Sequence, residues 1–453
     1  MKLKKFDYLI VGAGPAGMFA CLELLKKKVP GETIALFDMG SRLEDRKKSE
    51  VMTGFGGAGT YSDGKLHYTP KLSHERAFHL IDPDDYQKIL DEVEKTFKGL
   101  GVDSEYFPKN VEEVDAMVAE AERNDVELVV RRTQHVGTDK LKEVVARLQK
   151  YLLDKGVNLF CKTEIEDLIM EKGEVKGIVD KKKQKYLGGK VLLVPGRVNA
   201  AWLQKLGTKY GIKYQYDMVE IGVRVEFPRS IMKKYAEALY EVVLKVRTKT
   251  FDDVMRTFCS CPNGLVAVET YPEYICVNGH SLSDHKSLNS NFAFLCEVHL
   301  TEPVENSIDY AESIAKLATT IGGGKPILQR LKDLQRGRRS TWSRLTKSMV
   351  HPSLKDVTPG DISMALPHRI VVNILEGLEK LDTVMPGINS GSTLLYAPEV
   401  KLRSSKVALT KNMETTVKNV YAAGDAAGIS GSITGAAATG IMAARGMMKK
   451  SLS

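Results

Sequence analysis

Seven residues near the N-terminus, Val11-Gly12-Ala13-Gly14-Pro15-Ala16-Gly17, place glycines at the spacing G-x-G-x-x-G. The first glycine lets a strand turn sharply into a helix. The second lets a pyrophosphate lie against the backbone, and the third lets the helix pack close to the sheet. A helix opening at Pro15 offers unpaired N–H groups and the positive end of its dipole to phosphate. A second apolar run ends at Asp38, 26 residues after Gly12, where a carboxylate can accept hydrogen bonds from a ribose. Strand, turn, helix, strand and acid together predict a dinucleotide site. A plain glycine turn with Asp38 merely exposed would explain only some of these parts.

Two further segments carry compatible chemistry. The loop G-F-G-G-A-G-T-Y-S-D-G-K-L (54–66) holds five glycines in thirteen residues. Gly56, Gly57, Ala58, Gly59, Ser62 and Gly64 suit backbone passing beneath a pyrophosphate or flavin ring, and Lys65 suits a cation near flavin N1 or N5. The alternative is a flexible surface loop. At the other end, V-Y-A-A-G-D (420–425) is a strand running into Gly424 and Asp425 before Gly431, Ser432, Ile433 and a long helix. This resembles the second FAD signature of the glutathione-reductase-like flavoproteins. The resemblance implies that Asp425 binds the ribityl chain and that the helix N-terminus faces the pyrimidine end of the flavin. V-L-L-V-P-G-R (191–197) resembles the A-T-G motif of the same proteins, with Gly196 as its glycine and with Pro195 and Arg197 as departures. The loop after the second strand is similar to the serine/glycine loop of fumarate-reductase-like flavoproteins.

With Q-H-V-G-T-D-K-L (134–141), R-T-F-C-S-C-P-N-G (256–264), V-N-G-H-S (277–281), N-S-N-F-A (289–293) and L-Y-A-P-E (395–399), these motifs run in one order from about residue 5 to 447. The chain thereby resembles the predicted FAD-dependent dehydrogenases of bacteria and archaea. The resemblance implies a glutathione-reductase-like FAD fold and leaves the substrate open. No second G-x-G-x-x-G follows a strand in mid-chain. NAD(P)H is therefore expected, if it is the donor, to bind without a Rossmann domain of its own, and a ferredoxin-type donor is equally open.

The remaining polar chemistry gathers at Arg256, Cys259, Cys261, Asn278, His280 and Asn291. His280 suits a proton donor, because histidine titrates near neutrality, or a hydrogen-bonded structural role. Arg256 suits bidentate recognition of a carboxylate or phosphate, or a domain-interface salt bridge. Cys259 and Cys261 form a C-x-C whose ring would be strained; buried structural thiols are the main expectation and redox activity the alternative. Irregular cysteine spacing predicts no metal site.

The elements that must hold these residues can be read from apolar periodicity. Strands are expected at 6–11 and 33–38 around a helix at 15–28, helices at 82–99, 111–122 and 138–153, and a strand meander over 158–194. Alternating strands at 220–227, 265–271 and 291–300 precede helices near 307–320 and 369–380. A strand at 419–423 and a helix at about 433–449 complete the chain. The fold class is α/β, a discontinuous Rossmann-like FAD-binding domain (1–75, 127–204 and 366–453) with a helical insertion (76–126) and an α+β substrate or cap domain (205–365).

Of 38 glycines, ten fall in residues 1–64 and six in 424–453, so the two ends of the chain are expected to meet at one cofactor. The formal charge of +9 fits an anionic cofactor and substrate. The short basic clusters disfavour nucleic acid as the main partner. Few cysteines and no apolar run of about 20 residues predict a cytoplasmic protein with no membrane span. The expected function is hydride or electron transfer between flavin N5 and an unidentified small organic substrate. An electron-transfer or redox-sensing flavoprotein with a protein partner, and an RNA-modifying flavoenzyme, stand as alternatives.

Overall fold

The computed structural model describes residues 4–47, 50–62, 64–280, 286–300, 306–401 and 405–449. The chain divides into two compact units, one of Met1–Tyr106, Arg131–Asp217 and Ser404–Ser453, the other of Phe107–Val130 and Met218–Arg403.

The first unit is built on a parallel sheet. Strand β1 (Lys4–Val11) lies between β2 (Ile34–Phe37) and the strand Lys185–Leu193; Asn158–Phe160 extends the sheet beyond β2, and Val420–Ala422 pairs with 191–193. All five run parallel, as βαβ crossovers require. Their near-continuous apolar sequences, IALF and VLL among them, suit strands covered on both faces. Antiparallel strands Ile165–Glu171 and Glu174–Asp180 fold back on the N-terminal half of 185–193.

Helix α1 (Pro15–Lys26) is apolar nearly all round, the mark of a helix inside a core rather than on a surface. Its partner is the C-terminal helix, Ile433–Met448, rich in Ala and Gly. The two approach so closely that a side chain at Gly440 would run into the Ala16 backbone. Arg445, on that last helix, bridges Glu23 of α1 at 2.8 Å and Glu92 at 2.7 Å. The helix Pro83–Gly99 starts correctly because Asp82 caps the Asp84 N–H and Pro83 fills the first turn; it buries Tyr86, Ile89, Leu90, Val93 and Phe97 along one stripe.

The second unit is an eight-stranded sheet, in the order 358–359, 327–330, 394–401, 219–228, 289–298, 254–261, 244–247, 126–128. Its central pairs are antiparallel. Helices Ser307–Ile321 and His368–Leu381 bury apolar faces in its core. The hairpin Leu265–Thr270/Ile275–His280 stands as a separate two-stranded sheet.

The division differs from the sequence expectation at three places. Residues 205–217, expected in the substrate domain, belong to the first unit, where Leu206 and Ile212 are buried in the core. Residues 366–403 belong to the second unit: strand Leu394–Lys401 sits between 219–228 and 327–330, and the helix before it buries Ile370, Ile374 and Leu378 in that unit's core. The expected helical insertion is split at Tyr106/Phe107, because strand Val126–Leu128 pairs with Leu244–Arg247 while helix 83–99 stays in the first unit's core. Apolar periodicity identifies the helices at these places but does not say which unit they join.

Candidate functional site

The first unit brings its glycine segments to the C-terminal edge of the parallel sheet. Gly12 has a φ of 117°, and a side chain on it would collide with the Val194 carbonyl at the end of strand 185–193. A side chain on Gly17 would collide in turn with the Gly12 carbonyl. Only glycine permits the turn that ends β1 and the packing that starts α1. Gly14 is the N-cap of α1, so the free N–H groups of the first turn open at this edge.

The 54–66 loop closes onto that turn. Gly56 N–H donates to the Ala13 carbonyl at 2.9 Å. A Cβ on Gly57, whose φ is 61°, would lie 3.0 Å from Gly14 Cα. A Cβ on Gly59 would meet Ile433, the first residue of the C-terminal helix, at 3.2 Å. Gly14–Pro15, Gly57–Gly59 and Ile433 therefore converge, and two helix N-termini face one glycine loop. Ala58 opens a short 3₁₀ turn, and Ser62 closes the loop on itself by donating to the Gly59 carbonyl at 2.7 Å and accepting from Gly64 N–H at 3.2 Å. Asp63 lies outside the described residues. Lys65 begins strand β3 (Lys65–His67), opposite His135. That strand reaches the C-terminal helix through the Thr434 hydroxyl, which donates to the His67 carbonyl at 2.7 Å.

Asp38 has a role beyond the expected one. Its Oδ1 accepts from Gly40 and Gly54 N–H at 2.9 and 2.7 Å, and its Oδ2 from Ala13 N–H at 2.9 Å. The carboxylate ties the phosphate turn to the glycine loop. With about four acceptor positions on a carboxylate, Oδ2 keeps one for a hydroxyl. Beside it opens a shallow cleft lined by Gly12, Asp38, Met39, Thr163, Pro195 and Trp202 among others. This is the crevice beyond the strand ends where doubly wound folds take ligands.

The far end of the site is set by the last strand. Gly424, with a φ of 72°, has its N–H accepted by Thr439 Oγ1 at 3.1 Å, and a Cβ there would meet Ala16 at 3.3 Å. Asp425 follows. Its Oδ1 accepts from Ser430 Oγ at 2.5 Å and its Oδ2 faces Arg197 Nη2 at 3.3 Å. Gly196, with a φ of 69°, turns the chain between strand 185–193 and Arg197. Gly431 packs on Ser73, and Ser432 caps the C-terminal helix by accepting from Gly435 N–H at 3.0 Å.

Two contributors carry no motif. Arg46, largely buried, donates to four backbone carbonyls: Phe55 and Gly57 from Nη1 at 2.9 and 3.0 Å, Glu50 and Val51 from Nη2 at 2.6 and 3.1 Å. It buckles the glycine loop from behind. His74, fully buried, places Nδ1 3.0 Å from the Tyr86 hydroxyl and Nε2 3.3 Å from Ser432 Oγ. Burial, with Arg131 nearby, pushes His74 down to about 3, so it is neutral, one ring nitrogen donating and the other accepting. A single Arg or His in a loop gives no periodic signal, which is why sequence reasoning passes over both.

The residues singled out in the second unit separate. Arg256 is buried and engages both Glu220 carboxylate oxygens from one guanidinium edge, through Nε and Nη2, the latter to Oε2 at 2.8 Å. This is an ion pair within the unit that reaches across strand 289–298, from strand 254–261 to strand 219–228. His280 ends the hairpin strand, exposed. Cys259, Cys261, Asn278 and Asn291 cluster instead around Arg224, a residue the sequence does not single out. Among the described residues no three His, Cys, Asp or Glu side chains gather as a metal site, and no helix is long and apolar enough to cross a membrane.

Comparison with known proteins bears on the cofactor. Residues 218–402 match the family model described as FAD-dependent protein, C-terminal domain-like, and residues 353–453 match that of glucose inhibited division protein A. An uncharacterized protein of Clostridium beijerinckii is 25% identical over 98% of this chain and 80% of its own length. Among solved structures, 3-ketosteroid-delta4-(5alpha)-dehydrogenase from Rhodococcus jostii RHA1 aligns with a TM-score of 0.46 at 10% identity, over 99% of this chain and 97% of that one. L-proline dehydrogenase from P. horikoshii aligns at 0.39 and 12%, over 98% and 93%. These two structural likenesses are too slight to bear on what this chain binds. Together with a scaffold whose glycine loop and two helix N-termini suit a dinucleotide, these family matches support a FAD-dependent oxidoreductase family.

Proposed function

We propose that this oxidoreductase moves hydride or an electron pair between flavin N5 and a small organic substrate. Reducing equivalents would be exchanged with a diffusible donor, NAD(P)H or a ferredoxin-type protein. The observation that supports it most is the convergence of the α1 and Ile433 helix N-termini on Gly57–Gly59. Aligned backbone dipoles of this kind stabilise a pyrophosphate at one end and negative charge at the other.

FAD fits the residues present. The Gly14–Gly17 turn and Gly57 would hold the pyrophosphate, the free position of Asp38 the adenosine ribose, Asp425 the ribityl hydroxyls, and the Ser432–Ile433 helix start the pyrimidine edge. FAD when bound supplies a two-electron centre whose chemistry belongs to the isoalloxazine ring. This chain's own residues bind, orient and exclude water. Asp38 and Arg46 fix the loop, Arg197 orients Asp425, and His74 holds Ser432 in its capping geometry. Lys65 is assigned the role of a cation near the ring and His280 that of proton donor to the substrate. Arg256, paired with Glu220, is assigned to bracing the sheet across strand 289–298 rather than to catalysis.

Anaerobic mixing of the FAD-loaded protein with NADH, NADPH and reduced ferredoxin, followed by absorbance, tests this reading. Bleaching of the oxidised flavin band by at least one donor, and its return on adding an organic oxidant, is the expected result. A flavin that no donor reduces would overturn it.

A further inference from the structure

The six cysteines do not share one environment. Burial pushes the Cys161 and Cys276 thiols up to about 12 and Cys296 to about 11, and raises Cys21 as well. Those four stay protonated and inert at neutral pH. Cys259 and Cys261 keep different company, and nothing in the FAD site uses them.

Both lie at the end of strand Val254–Cys261, where pairing with Asn289–Val298 shifts register between Phe258 and Cys261. Cys259 itself holds a φ of 47°, rare for any residue but glycine. In an unbroken strand, residues two apart are separated by roughly 6.6 Å, near the upper limit for a disulfide. A left-handed residue inside a bulge bends the strand and shortens that span. The fold-back is visible in the side chain: Cys261 Sγ comes within 3.5 Å of the carbonyl oxygen of Cys259.

The surroundings are those of a reactive sulfur. Arg224, wholly buried, donates from Nη2 to the Cys259 carbonyl at 2.8 Å, and the same nitrogen lies 3.5 Å from Cys261 Sγ. Its other edge is held by Glu399 at 3.1 Å and its Nε by Asn291 Oδ1 at 2.9 Å. Lys401, 3.2 Å from Glu399, adds a second cation, itself 4.0 Å from Glu269. The Asn291 Nδ2 is buried and makes no hydrogen bond, a spare donor in the same cluster. Across from the pair, Asn278 Oδ1 stands 4.0 Å from Cys259 Sγ. A side chain at Gly279 would press on Cys261 Sγ and the Arg224 guanidinium, so glycine there keeps the space open. Cys259 is partly exposed and Cys261 buried, the order needed for one thiol to meet a reagent and the other to resolve it.

We propose that Cys259 and Cys261 form a reversible dithiol–disulfide couple, carried entirely by the second unit, whose co-reactant is a small aliphatic disulfide. Cys259 thiolate attacks one sulfur of that disulfide. The S–S bond breaks, one small thiolate leaves, and a mixed disulfide forms on Cys259. Cys261, as the thiolate held by Arg224, then attacks the Cys259 sulfur. The Cys259–Cys261 bond forms and the second small thiolate leaves. Two electrons pass from the protein to the small disulfide, and the two cysteine protons end on the two released thiols. This couple does not rest on the FAD assignment.

The test equilibrates the full-length, FAD-loaded protein in mixtures of oxidised and reduced glutathione, quenches with an alkylating agent and maps modified peptides by mass spectrometry. Cys259 and Cys261 are expected to lose reactivity together, with loss of two hydrogens from the peptide that holds them, while Cys21 and Cys276 stay thiols. C261S is expected to trap glutathione on Cys259, and C259S to leave Cys261 unmodified, with flavin content unchanged in both. Independent alkylation of the two at every glutathione ratio, or a C261S that accumulates no mixed disulfide, would overturn the proposal and leave the pair as packing. Loss of flavin with the couple intact would strike the FAD reading and leave this one standing.

Discussion

Arg197 Nη2 lies 3.3 Å from Asp425 Oδ2, joining the turn after strand 185–193 to the aspartate after strand 420–422. These two strands pair side by side in parallel, so the pair spans the C-terminal edge of the sheet, where the ribityl chain would run. Ser430 fixes the other carboxylate oxygen, and Asp425 is thereby aimed from two sides.

Removing Asp425 and removing Arg197 should therefore differ in kind. D425A deletes a charged acceptor, worth about 1.5–3 kcal/mol, or roughly 10–100-fold in FAD affinity. R197A loses only a half-exposed ion pair, costs at most about 1 kcal/mol in stability, and should weaken FAD a few-fold by loosening the acceptor. Calorimetric titration of the apoprotein checks both. Equal losses would show that Arg197 contacts the cofactor directly instead of orienting Asp425.

Arg46 should control the glycine loop without touching substrate. One guanidinium satisfies the carbonyls of Glu50, Val51, Phe55 and Gly57, and an ammonium has neither the span nor the planar fork to replace it. R46K is expected to raise hydrogen exchange through residues 50–62, lower FAD affinity at least tenfold, and destabilise the fold by about 2–3 kcal/mol. Unchanged exchange in that loop would contradict the buckle.

His74 predicts a pH dependence. Its ordinary value is 6.5 and burial brings it to about 3 in the folded chain. Between those values the unfolded chain binds a proton there and the folded chain does not, so stability declines as pH falls from 6.5 toward 3. The slope from this one group is up to about 1.4 kcal/mol per pH unit. H74Q removes the titration, so its melting temperature should fall less between pH 6.5 and 4.5 than that of the unaltered protein. Parallel curves would exclude His74 as a source of acid lability.

Much of this molecule is legible in its sequence because the cofactor unit is built from local signals. G-x-G-x-x-G, Asp38 and Gly424-Asp425 each mark a turn at the end of a strand, and the structure brings the segments together at one sheet edge. Arg197 and His74 act by reaching across hundreds of residues, to Asp425 and Ser432, and Arg46 acts within its own irregular loop; no spacing rule encodes either. In the second unit, Arg224 sits in V-R-V-E-F, where charges at 224 and 226 inside an apolar strand were the available sign of a buried polar cluster. Strand 394–401 escapes a periodicity reading for a related reason: its run L-L-Y-A-P-E-V is buried on both faces, so it shows no alternation.

The glycine loop and the two helix starts are proposed to form one FAD site. Titrating apoprotein with FAD while following melting temperature and flavin fluorescence tests it most directly, with G57V as the control. The Gly57 position has a φ of 61° and faces Gly14 Cα, so a valine there blocks the turn. The account predicts one FAD per chain, a melting temperature that rises with FAD concentration, and loss of both in G57V with circular dichroism unchanged. A native chain that takes up no FAD and gains no stability from it would contradict the account.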